Sequence, residues 1–161
     1  MQNHISPQAI SVSSFRVAGI STRTTNAAEA DPATGRIGPL WDRFFSESWE
    51  HKLPPPGNDG RVFGVYSRYE SDHRGAFDVT AGVAAPSDHQ PMPGATVVDV
   101  QAGDYLVFEA EGHMPQLVID AWGAVWRYFE AHPEVQRRFG TDFEAYAGPY
   151  HVAIHIGVLR G

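Results

Sequence analysis

Apolar and polar positions along this chain follow two alternating periods, one of strands and one of helices. Residues 10–24, ISVSSFRVAGISTRT, are dense in β-branched side chains and read as the first strand. The period then changes. In GPLWDRFFSESWEHKL (38–53), Leu40, Trp41, Phe44, Phe45 and Trp49 recur at helical spacing and form one buried stripe. The run PPPGNDG (54–60) ends that helix. RVFGVYSRYES (61–71) and AFDVTAGVAA (76–85) are two further strands, with DHRG (72–75) as the turn between them.

A linker with three prolines, PSDHQPMPGA (86–95), separates this set from a second one in the same order. TVVDVQAGDYLVFEAEG (96–112) reads as a strand bent near Ala102 and Gly103. MPQLVIDAWGAVWRYFEAHP (114–133) is a helix with Leu117, Ala121, Trp122, Val125, Trp126 and Phe129 on one face. TDFEAYAG (141–148) and HVAIHIGVLR (151–160) close the set as strands. LWDRFF at 40–45 aligns with VWRYFE at 125–130, and VFGVY at 62–66 with DFEAY at 142–146. The expected fold is one α+β domain over 1–161. Two pseudo-symmetric β-α-β-β repeats, about 10–85 and 96–160, would form an antiparallel sheet with two helices on one face.

The motif DFEAY raises a chemical question. Strand alternation puts Asp142, Glu144 and Tyr146 on one side and Phe143 and Ala145 on the other. Glu144 is then either a hydrated or arginine-paired strand acid or the one charge in an apolar pocket. Its counterpart in the first repeat is Gly64, so the fold itself demands no acid at this place.

Composition narrows the partners. The chain has 12 Lys and Arg against 19 Asp and Glu, a net charge of −7, and its densest basic point is the pair Arg137–Arg138. Nucleic-acid affinity rests on phosphate neutralisation by clustered cations, so direct nucleic-acid binding is not expected. The absence of cysteine excludes disulfides and thiolate chemistry. No apolar run reaches membrane-spanning length and MQNHISPQAI is not a signal peptide, so a cytoplasmic protein without membrane contact is expected.

Other chemistries find little support. His151 and His155 are four apart on a strand, about 13 Å, too far for one metal ion. His51, His73, His89, His113 and His132 fall in loops or at helix ends, where solvated histidines are ordinary. Neither a metal nor an organic cofactor is expected. Nucleophile elbows and phosphate-binding loops are missing from the sequence. Glu109 and Glu111 flank Ala110 and make an acid/base dyad with Glu144 conceivable, against a simpler reading as surface acids.

The order and spacing of GPLWDRFF, RVFGVYSRYE, FDVTAGVAA, VVDVQAGDYLVFEAEG and above all DFEAY resemble the GyrI-like family, from about residue 10 to the end. That family supplies the effector-binding domains of AraC- and MerR-type multidrug regulators. The resemblance implies that the glutamate of a Phe-Glu-hydrophobic-Tyr strand lies at the bottom of an aromatic pocket for lipophilic cations. Here that role falls on Glu144, with Tyr146 beside it. Ala145 departs from the larger aliphatic residue common there, which would loosen packing or enlarge the site.

Trp41, Phe45, Tyr66, Trp122 and Trp126 are the candidate supporting aromatics, although helical aromatics at this spacing also serve as core. A cation paired to a desolvated carboxylate and stacked on rings selects charge sign and bulk more than shape. The expectation is a stand-alone binder of lipophilic, cationic effectors or drugs, without a DNA-binding domain of its own. It would act in sequestration or in transcription-related signalling, with a DNA-binding regulator or gyrase as a possible protein partner. Three alternatives stand beside it: a gyrase-inhibitor-like modulator, a hydrolase of reactive electrophiles with Glu144 as general base, and a purely structural subunit.

Overall fold

A computed structural model describes residues 7–52, 61–72, 74–86 and 92–159. The 54–60 loop, His73 of the 72–75 turn and residues 87–91 of the linker, His89 among them, lie outside the described residues. Along the chain come β1 (Gln8–Val12), β2 (Phe15–Thr24), α1 (Asn26–Glu29), α2 (Ile37–Ser46), α3 (Trp49–Lys52), β3 (Val62–Ser67) and β4 (Phe77–Ala85). Then follow β5 (Thr96–Val100), β6 (Gly103–Glu111), α4 (Gln116–Ala131), β7 (Asp142–Tyr146) and β8 (His151–Gly157). The strands form one antiparallel sheet in the order β1-β6-β8-β7-β3-β4-β2-β5. Among the described residues no helix is long and apolar enough to cross a membrane.

Three boundaries differ from the sequence reading. The strand expected over 10–24 is two strands, β1 and β2, and the bent one over 96–112 is likewise β5 and β6. Val12 lies opposite Gly103 and Phe15 opposite Val100, so the register runs through both breaks unchanged. Each long segment thus joins both wings of the sheet, which no local period reveals. The helix expected over 38–53 is α2 and then α3, parted at Ser48, whose φ of 56° is left-handed. No Gly or Pro marks that break in the sequence; the Trp49 indole N–H donates to Glu47 at 2.7 Å across it.

The two long helices cover different strands of one face. From α2, Leu40 and Phe44 pack with Ile20, Val79 and Ala81, and from α4, Leu117, Ala121 and Val125 pack with Phe108, Ile154 and Ile156. The central pair β3–β7 lies between the helices. The opposite face is not left to solvent: Val17, Phe63, Val65, Val100, Tyr105, Phe143 and Ala145 form a second apolar layer there. Phe15 on β2 lies three strands from β7 yet sits 5.3 Å from the Phe143 ring, so the sheet curls over its own reverse face.

Candidate functional site

On the helix face one row of side chains crosses the sheet: Ile20, Ala81, Gly64, Glu144, Ile154 and Phe108, neighbours by register. Five are apolar or lack a side chain; the sixth is a carboxylate on the central strand. Glu144 is only 2% exposed. Its Oε2 accepts from the Trp122 indole N–H at 2.6 Å and the Tyr66 hydroxyl at 2.9 Å. Its Oε1 accepts from the Tyr146 hydroxyl at 2.8 Å.

Each donor arrives by an element already described. Tyr146 is two residues along β7 and so on the same face. Tyr66 stands on the paired strand β3, and Trp122 descends from α4. Trp41 comes from α2, with its ring edge-on to Tyr146 at 5.5 Å. It also overlies Gly64, where a side chain would press on its indole. Trp122 and Tyr66 meet edge to face at 5.2 Å.

The electrostatics follow from the geometry. Burial raises the Glu144 carboxyl above its ordinary value, and hydrogen bonds from Trp122, Tyr146 and Tyr66 pull it back. An indole N–H can only donate, so three donors on two oxygens suit the ionised form. None of the ion pairs among the described residues involves Glu144. Burial and the neighbouring Glu144 charge hold the Tyr66 and Tyr146 phenols well above their ordinary values, which keeps both as donors. The arrangement is a desolvated anion solvated by protein dipoles, with aromatic rings around it.

Two residues earlier on the same face, Asp142 is fully buried and compensated. It accepts from Arg137 Nη2 at 2.8 Å, the Tyr69 hydroxyl at 2.5 Å and the Gly157 amide at 2.8 Å. The donors to these two acids, not the acids themselves, line a cavity of about 200 Å³: Tyr66 and Trp122 from the Glu144 cluster and Tyr69 and Arg137 from the Asp142 cluster, with Phe77, Trp126 and Asn26 and Glu29 of α1. Sequence reasoning did not single out Tyr69 or Arg137. Asp142 shares the alternation that exposed Glu144, but its partners come from a loop and a strand end that no period connects.

Of the residues expected at the site, Glu144, Tyr146, Tyr66 and Trp122 converge directly, and Trp41 packs against them. Phe45 and Trp126 do not reach Glu144. Phe45 is 54% exposed and stacks behind Trp41 at 5.8 Å, and Trp126 lies beyond Trp122 at 6.2 Å. Ala145 does not enlarge the site, because it faces the reverse layer opposite Phe63. The conceivable dyad with Glu109 and Glu111 is not formed. Both are exposed on β6, and the row Glu109–Ala153–Ala145 puts them on the face opposite Glu144. A shallower hollow of about 500 Å³ by His113, Tyr150 and His151 contains none of the converging groups. Among the described residues no cluster of three or more His, Asp or Glu is placed to hold a metal ion.

Residues 10–158 match the family described as integron-associated effector binding protein, Cass2. An integron cassette protein from the mobile metagenome of Vibrio cholerae is 38% identical, with 95% of each chain covered and a TM-score of 0.83. The protein SAV2435, solved bound to tetraphenylphosphonium, is 21% identical over 96% of this chain and 94% of its own, with a TM-score of 0.76. A candidate transcription regulation protein from Staphylococcus aureus MU50 is 20% identical over 98% of this chain and all of its own (100%), with a TM-score of 0.76. At such identities the last two share the fold. No curated protein matches the chain.

Proposed function

This chain belongs to the integron-associated effector-binding proteins, and from that membership we propose that it binds lipophilic organic cations against Glu144, behind the Tyr66 and Trp122 side chains that line the neighbouring cavity. The observation that carries the reading is a carboxylate 2% exposed, given three hydrogen bonds and no cation among the described residues. Three neutral donors make the anion tolerable in the interior but leave its charge uncompensated. A ligand cation supplies that compensation, and the surrounding rings contribute cation–π contacts of about 0.5–2 kcal/mol each. SAV2435, which shares the fold, was solved with a ligand of this chemistry, tetraphenylphosphonium.

Access follows from which rings cover the acid. Trp41 and Trp122 are partly exposed and stand on helices at either side. A bulky cation reaches Glu144 by turning one of these rings aside. A site of this kind ranks ligands by charge and apolar area, which is the selectivity of a broad effector or drug binder.

The test is a tryptophan-fluorescence titration, for which Trp122 bonds Glu144, Trp41 packs on Tyr146 and Trp126 lines the neighbouring cavity. Tetraphenylphosphonium is to quench the wild type saturably. Glu144→Gln weakens it about tenfold or more, about 1.4 kcal/mol, whereas neutral triphenylphosphine oxide binds both proteins alike. Equal affinity of the cation for both proteins would overturn the reading.

A further inference from the structure

Two tryptophans cover Glu144, and they are held by different means. Trp122 is anchored on the acid itself: its indole N–H donates to Oε2 at 2.6 Å, beside the Tyr66 hydroxyl at 2.9 Å. Its ring also meets Tyr66 at 5.2 Å and Trp126 at 6.2 Å. Trp41 is held by rings alone, Tyr146 at 5.5 Å, Phe44 at 5.6 Å and Phe45 at 5.8 Å. No hydrogen bond to a described residue fixes its indole. The strand beneath gives it little grip, because Gly64 has no side chain.

The two oxygens of Glu144 are unequal in the same way. Oε2 accepts two hydrogen bonds, whereas Oε1 accepts one, from the Tyr146 hydroxyl at 2.8 Å. A carboxylate oxygen has two acceptor positions, so the unfilled one is on Oε1. That oxygen lies on the Trp41 side. A Cβ built on Gly64 would be 2.6 Å from Oε1 and 3.1 Å from Trp41 Cζ2, so the ring edge and the oxygen adjoin one point above the strand. Toward the cavity the acid is covered instead by Tyr66 and Trp122, which line that space and bond Oε2.

Resting on the reading of Glu144 as the counter-charge, we propose that Trp41 is the ring a cation displaces, and that the charge settles over Gly64 against Oε1. The relative strength of the contacts decides between the two rings. Displacing Trp122 breaks a short hydrogen bond to a buried anion, one of the strong kinds, just when the cation needs that anion ionised. Displacing Trp41 forfeits only ring contacts, each weaker. An aryl group of the ligand restores them against Tyr146 and Phe45. All three hydrogen bonds to Glu144 then survive binding, and the cation faces the open side of Oε1. Gly64 is thereby the specificity-determining position, since a side chain there fills the space between the oxygen and the incoming group.

Indole 15N–1H spectra of the wild type, titrated with tetraphenylphosphonium, test this. The four tryptophans give four signals, assigned from the single variants Trp41→Phe, Trp49→Phe, Trp122→Phe and Trp126→Phe. Any three assign the fourth, should one variant not fold. The Trp122 N–H is expected to exchange with water about tenfold or more slowly than that of Trp41, in free and bound protein alike, as its bond to the carboxylate persists. The Trp41 signal is expected to shift with saturation. Ligand ring protons should show nuclear Overhauser contacts to the Gly64 α-protons and none to Phe77, which lines the cavity. Faster exchange of Trp122 in the bound protein, an unmoved Trp41 signal, contacts to Phe77 or none to Gly64 would each overturn the proposal. Affinity that Glu144→Gln leaves unchanged, or no binding at all, instead sinks the underlying cation reading and the proposal with it.

Discussion

Gly64 and Glu144 face each other across the central strand pair, and a Cβ placed on Gly64 would lie 2.6 Å from Glu144 Oε1. The sequence match of VFGVY to DFEAY pairs the same two positions. One strand gives up its side chain where the other carries an acid. The missing side chain makes room for the carboxylate and for the Trp41 ring above it, whose Cζ2 would be 3.1 Å from the same Cβ.

Gly64→Ala tests that reciprocity. Alanine in a strand ordinarily gains about 0.4–1 kcal/mol over glycine through the unfolded chain. Here the methyl has to displace a carboxylate held by Tyr146, or an indole, and overpacking of this kind costs about 1–3 kcal/mol. Net destabilisation of about 1 kcal/mol is expected in urea unfolding. In the double variant with Glu144→Ala that cost shrinks, because the oxygen it meets is gone. Strict additivity of the two changes would refute the steric coupling.

Trp122→Phe removes one donor and keeps a ring. The hydrogen bond it deletes is short, 2.6 Å, and ends on a buried ionised group, a class of contact that contributes about 1.5–3 kcal/mol. Loss of that size is expected at neutral pH. It should be smaller in acid, where a protonated Glu144 needs fewer donors. Chemical denaturation at two pH values reads the difference. A loss independent of pH would mean that Trp122 serves by packing alone.

The legible part of this molecule is what repeats locally. Alternation in DFEAY placed Glu144 and Tyr146 on one face, and the match of VFGVY to DFEAY pointed to Tyr66. Helical spacing found both stripes and the two tryptophans that flank the acid. Phe45 shows the limit of that signal: it follows Phe44 by about 100° around the helix, far enough for one ring to be core and the other 54% exposed. The split of the long strands near Ser13 and Ala102 left no mark because the register continues across it. The Arg137–Asp142–Tyr69 cluster was invisible for another reason. It joins a loop after α4, the start of β7 and the loop after β3 through side-chain contacts alone.

His155 makes acid sensitivity a property of the reverse face. It is 8% exposed, stacks on Phe143 at 4.1 Å, and donates from Nδ1 to the Ala153 carbonyl at 3.0 Å. Burial lowers its pKa to about 4 from the ordinary 6.5. The folded state therefore binds fewer protons than the unfolded one between those values. Stability is full above about pH 6.5 and is lost as the pH falls toward about 4, by at most about 3 kcal/mol. His155→Leu should flatten the pH–stability curve across that window. An unchanged slope would exclude His155 as the titrating group.

Glu144 acts with the opposite sign, and ligand binding exposes it. Its raised folded pKa means that the folded state keeps a proton which the unfolded state has already released. As the pH rises from the ordinary carboxylate value through the folded one, this residue's contribution to stability falls. Over the same interval the site gains the charge that a cation needs. Affinity for tetraphenylphosphonium should therefore climb with pH, up to tenfold per unit where Glu144 is protonated in the free protein, and level off once it is ionised. Proton release should accompany binding on the rising limb and vanish on the plateau. Titrations in two buffers of different ionisation enthalpy measure that release. In Glu144→Gln both the climb and the released proton should be absent; a climb that persists there would assign the pH dependence to another group, and Glu144 would no longer be the cation's counter-charge.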